Sequence, residues 1–96
     1  MDAKFCPGRV VATPGALEAL AGSGQDAEFF LKKHMTSDWG EVDVEDQMAN
    51  DQALIDGSRL LSSYRTLKGV VIWLLTEAEG DDGQRASTCL TTPGEY

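Results

Sequence analysis

Ninety-six residues, 42% of them apolar and 25% charged, can build one hydrophobic core but not two, so a single domain spanning residues 1–96 is expected. That balance excludes a disordered chain, which would be poorer in Leu, Val, Ile and aromatics. The net charge of −8 argues against a broad basic face for nucleic acid, and the longest apolar run, residues 70–75, is too short to cross a membrane.

The chain opens with a short strand at residues 9–13, centred on the β-branched pair Val10 and Val11. Thr13-Pro14 reads as a helix start, because Thr is a good N-cap and Pro suits the first helical position. Leu17, Leu20 and Ala21 share one face of this first helix, and Gly22-Ser23-Gly24 stops it. Asp26 is the expected cap of a second helix, in which Ala27, Phe30, Leu31 and His34 fall on one stripe. Lys32, Lys33 and His34 stand near its C-terminus, where positive charge suits the helix dipole.

A turn-rich loop with one large aromatic, Trp39, follows. Asp43 is expected to cap the third and longest helix, which ends near Gly57. Its inner side is read as Val44, Met48 and Ile55, supported by Leu54. The last third is strand-like: residues 59–66, a tight connection at Leu67-Lys68-Gly69, residues 70–76, a loop at 79–84, and residues 86–92. Residues 70–76 are apolar on both faces and are expected at the centre of a sheet. The predicted class is α+β, in the order β-α-α-α-β-β-β: a small antiparallel sheet of three to four strands with about three helices on one face.

The acids are unevenly spread. Between positions 38 and 56 there are seven (Asp38, Glu41, Asp43, Glu45, Asp46, Asp51, Asp56) and no Lys or Arg; between 77 and 82 there are four more. The rest of the chain carries eight bases against five acids. Capping explains Asp43, Glu45 and Asp46 without a partner, but not the absence of bases. An acidic binding face for a basic protein explains both, and makes Asp38, Trp39, Glu41, Asp43, Glu45 and Asp46 the candidate binding residues. Trp39 reads either as a core lid or as an exposed anchor of that face. The loop lacks the alternating oxygen ligands and central Gly of a calcium-binding hand.

Nothing in the pattern marks a catalytic centre. His34 is the only histidine and stands on the apolar edge of its helix, away from any nucleophile in sequence. A thiol site from Cys89, His34 and a carboxylate is the one nucleophilic arrangement available, although strand alternation accounts for Cys89. Neither cysteine lies in a C-x-x-C pair, which excludes a four-ligand zinc site, and no phosphate-binding glycine motif occurs. No metal or cofactor is therefore expected. No signal segment is read at the start, so a cytoplasmic protein with Cys6 and Cys89 as free thiols is expected.

Several segments together resemble a group of small bacterial proteins encoded on plasmids and other mobile elements. They are residues 10–20, Ser37-Asp38-Trp39-Gly40-Glu41, the helix from Glu45-Asp46 to Leu54, Tyr64-Arg65, the stretch from Ile72-Trp73 to Thr76-Glu77-Ala78, and the closing stretch from Ser87-Thr88 to Pro93-Gly94-Glu95-Tyr96. The resemblance implies a bacterial protein of the accessory gene pool, as from a gene cassette, and carries over no catalytic residue. The expected function is a non-catalytic protein-interaction module with an acidic face. The alternative is a small-molecule-binding domain or minor enzyme with a pocket between helices and sheet. A homodimer burying the second sheet face is compatible with either.

Overall fold

Local chemistry sets most of the helix ends. In the computed structural model, which describes residues 3–96, the order is β1 (Arg9–Ala12), α1 (Pro14–Ser23), α2 (Ala27–Met35), α3 (Val44–Asp56), β2 (Leu60–Arg65), β3 (Val71–Thr76), β4 (Ser87–Thr91) and a closing 3-10 turn (Pro93–Glu95). Thr13 caps α1 by accepting from the Ala16 N–H, and Asp43 caps α3 by accepting from the Asp46 N–H at 2.8 Å. Gly24 and Gly57 end α1 and α3 in the left-handed conformation. Asp26 stands at the N-cap of α2 but its side chain makes no capping bond, contrary to expectation.

The four strands lie in the order β1-β4-β3-β2. The predicted antiparallel meander is present as β2-β3-β4, and β3 is central. β1 adds to β4 in parallel, with Val11 opposite Cys89. A three-helix excursion separates β1 from the meander, so no hairpin constrains its direction, and it enters the sheet at the free edge of β4.

Alternation along the strands sends Leu60, Ser62, Tyr64, Ile72, Leu74, Thr76, Thr88 and Leu90 to one face, where they are buried. The main core joins Tyr64, Ile72, Leu74 and Leu90 to Ala16 and Leu20 of α1 and Phe30 of α2. A second cluster of Trp39, Ala53 and Leu60, with Phe5, Val42 and Leu54 against it, fastens α3 beside β2. The α2 stripe is as expected: Phe30 and His34 are buried, with Ala27 and Leu31 packed alongside.

Two helices are turned differently from expectation. In α1 the inward residues are Ala16 and Leu20, while Leu17 is exposed. In α3 the correction is larger: Val44, Met48 and Ile55 face solvent, and Asn50 and Ala53 face inward. The cause is the edge of β2. The Asn50 amide donates to the Leu61 carbonyl at 2.7 Å and accepts from the Leu61 N–H at 3.0 Å, replacing a neighbouring strand. Ala53 is small enough to let the helix approach Leu60 and Trp39. Satisfying a buried strand edge has outweighed burying the larger apolar side chains.

The loop before α3 finishes the same edge. Ser63 donates its N–H to the Trp39 carbonyl and accepts from the Glu41 N–H, so Trp39-Gly40-Glu41 runs as a fragment of parallel strand. Gly40 has φ 75°, and a Cβ there would collide with the Ser63 carbonyl. Across the molecule, the Glu95 carboxylate reaches back to α1. It accepts from Thr13 Oγ1 at 2.6 Å, from the Gly15 N–H at 2.9 Å and from Thr92 Oγ1 at 2.8 Å. One carboxylate thus caps two helix starts, and Gly15 leaves room for it where any Cβ would strike it.

Candidate functional site

The most chemically loaded cluster lies on the covered face of the sheet. His34 Nδ1 is hydrogen-bonded to Ser62 Oγ, and Nε2 to Thr76 Oγ1 at 2.8 Å. Thr76 is bonded to Thr88 Oγ1 at 2.7 Å, and Thr88 donates to the Pro7 carbonyl. Phe5 and Trp39 stand edge-on to the imidazole. Arg85, also buried, donates to the carbonyls of Ser58, Glu77 and Ala53 at 2.6, 3.0 and 3.0 Å. Ala53 lies in the last turn of α3, where the dipole welcomes a cation and the helix supplies none of its own.

This cluster holds a serine and a histidine in contact, yet its geometry is that of a packed interior. His34, Ser62, Thr76 and Thr88 are all fully buried, and no buried side-chain nitrogen or oxygen lacks a partner among the described residues. Burial, and then the charge of Arg85, depress the imidazole pKa to about 4, so the ring is neutral at neutral pH. Cys89 cannot join it. The thiol points to the opposite face of the sheet, in register with Leu75 and Val11. Burial, with Glu95 and Glu77 nearby, raises its pKa, which disfavours the thiolate a nucleophile needs. Both cysteines are free thiols.

The candidate acids divide into two groups. Asp38 pairs with Lys33 at 3.6 Å and accepts from the Gly40 N–H, while Glu41 pairs with Arg65 at 3.2 Å. Their charges are met within the chain. Trp39 is 5% exposed and donates its indole N–H to Asp51 at 3.1 Å, so it is the core lid and not an anchor. Asp43, Glu45 and Asp46 remain exposed at the start of α3, with Asp51 and Asp56 further along it. None of the three ion pairs found among the described residues reaches this helix. The acidic face therefore contracts from loop plus helix to α3 alone.

Sequence reasoning missed what accompanies those acids. At about 100° per residue, Val44, Met48 and Ile55 lie within about 40° of one another, roughly opposite Asn50 and Ala53. They are 68%, 66% and 81% exposed. Burying each would gain roughly 1.5–3 kcal/mol, a gain that the folded chain leaves unused. Glu45, Asp51 and Asp56 flank the stripe. The periodicity of the three residues was legible; the direction in which it points was not.

Phe30, Ile72, Leu74 and Leu90 fill the main core between helices and sheet. One groove of about 220 Å³ lies between α3 and the sheet, lined by Asp46, Ala49 and Asn50 with Leu61, Trp73 and Leu75, and another of about 320 Å³ runs between α2 and β2 beside Phe29, Lys33, Ser63 and Tyr64. Among the described residues no three His, Cys, Asp or Glu side chains gather as a cation site. No helix among them is long and apolar enough to cross a membrane.

Comparison with known families, curated proteins and solved structures returns no match. The reading of function therefore rests on this chain's own residues.

Proposed function

We propose that the chain is a non-catalytic protein-interaction domain, and that α3 docks into an apolar groove rimmed by Lys and Arg on its partner. The observation that carries this reading is the outward alignment of Val44, Met48 and Ile55 on a helix whose acids enter none of the ion pairs among the described residues. Anchors at i, i+4 and i+11 fall on one helix face, the arrangement by which an amphipathic helix lies in a groove. The acids would steer a basic partner and set the register of docking. Enclosure of His34 and Ser62 favours a non-catalytic role, while the grooves beside α3 and α2 are what the alternative of a pocket between helices and sheet would use. An accessory bacterial protein acting in the cytoplasm, as the resemblance implies, fits a small domain that works by occupying other machinery.

The test is affinity capture from a bacterial lysate with the wild-type chain and with Met48→Glu and Ile55→Glu. Each substitution is expected to weaken capture of a specific partner at least tenfold, or about 1.4 kcal/mol. Raising the salt should weaken wild-type capture as well. Leu67→Ser, at an exposed site outside α3, serves as the control. Equal recovery by wild type and both α3 variants would sink the proposal.

A further inference from the structure

The face of the sheet turned away from the helices carries a feature independent of α3. Register aligns Leu61 with Leu75, Leu75 with Cys89 and Cys89 with Val11, an apolar row across all four strands. The adjoining row holds Trp73, whose indole meets the Tyr96 ring edge-on at 5.7 Å. Trp73 is only half-buried on this open face. The covered face meanwhile holds Ser62, Thr76 and Thr88. A one-sided antiparallel sheet ordinarily presents polar residues to water, and here the row is apolar, with Val11 39% exposed and Leu61, Leu75 and Cys89 half-buried. We infer that a second copy of the chain packs on this face, giving a two-fold, sheet-on-sheet dimer.

Two observations select a second copy. The edges offer little to an added strand: Asn50 and residues 39–41 occupy β2, and β1 has four residues between Pro7 and Pro14. Association is thus directed to the face. The charges beside the apolar row are of both signs. Arg9 stands opposite Ser87, Glu77 donates its N–H to the Ser87 carbonyl, and Arg59 precedes β2. A mixed border can complement itself about a two-fold axis, whereas a partner of one sign would be repelled by part of it. The area sets the strength. Four strands about 4.8 Å apart and four to six residues long span roughly 330 Å² per copy before side-chain relief, hence about 670 Å² in total. That is below the roughly 1,000 Å² of a small specific interface, so the dimer is weak, exchanges and fills only at high concentration.

Sedimentation velocity over a concentration series, from low micromolar to near millimolar, reads this directly. The wild-type mass is expected to rise toward that of two chains. Leu75→Lys should raise the dimer dissociation constant at least tenfold while leaving the melting temperature at the lowest concentration unchanged. If Leu75→Lys unfolds, Val11→Lys, at a position already 39% exposed, takes its place. Met48→Glu should dimerise as wild type does, which separates this inference from the role proposed for α3. A wild type that stays monomeric at the highest concentration overturns the inference. So does a dimer that survives the sheet-face substitution, or one that is lost with Met48→Glu.

Discussion

At the scale of single residues, two titrating groups make the fold sensitive to acid. His34 takes up its proton near its ordinary 6.5 when the chain is unfolded, but only near about 4 when folded. Between those values the unfolded chain holds the extra proton, so acidification shifts the balance toward unfolding, by ~3 kcal/mol across the window. Hydrogen bonds from Thr13, Gly15 and Thr92 hold Glu95 down at about 2, below its ordinary 4.5. Its contribution is intact above 4.5 and disappears as the pH falls through about 2. Urea unfolding at a series of pH values should show both declines. His34→Gln is expected to flatten the upper window and leave the lower, whereas Glu95→Gln should remove part of the lower and leave the upper. A stability that stays level from pH 7 to 4 in the wild type would contradict the burial of a neutral imidazole.

At the scale of elements, the edge of β2 decides how α3 lies. Asn50→Ala strands the Leu61 N–H and carbonyl at a buried edge, and should cost roughly 1–3 kcal/mol in chemical denaturation with an unchanged slope. Ile55→Glu, on the opposite side of the helix, should change stability by no more than about 0.5 kcal/mol. Periodicity alone would order these two the other way round. What the sequence reveals here is what local rules determine: the Thr13 and Asp43 caps, the glycines after α1 and α3, the α2 stripe, the central position of residues 71–76. The rotation of α3 depends instead on a side-chain amide meeting a strand 11 residues later, and no window of sequence contains that meeting. Arg85 was equally illegible. Its partners are three carbonyls, which leave no mark on composition or spacing. Trp39 was open between lid and anchor because both readings need a large aromatic in a loop. The Asp51 acceptor and the Ala53–Leu60 cluster choose the first.

At the scale of the whole molecule, the candidate site was half legible. The acidic stretch is plain in the sequence, but which acids remain unpaired follows from where Lys33 and Arg65 come to rest. The class and order of elements follow from local patterns, while the parallel entry of β1 does not, since it joins residues 9–12 to 87–91. Contacts so distant in sequence cost the most chain entropy to form, and the β2-β3-β4 meander is the local alternative. Val10→Ala should therefore speed unfolding and leave refolding nearly unchanged in stopped-flow measurements, and Leu74→Ala should slow refolding. Comparable slowing of refolding by both would place β1 in the nucleus instead.

The position of β1 beside β4 also bears on synthesis. A ribosome delivers residues 9–12 long before the strand that receives them, at roughly 5–20 residues per second. For several seconds Val10 and Val11 have no sheet to join, and α1 lacks the Glu95 carboxylate that completes its start. Closure of this domain in that sense waits for β4, and β1 passes the longest interval of exposure of the four strands.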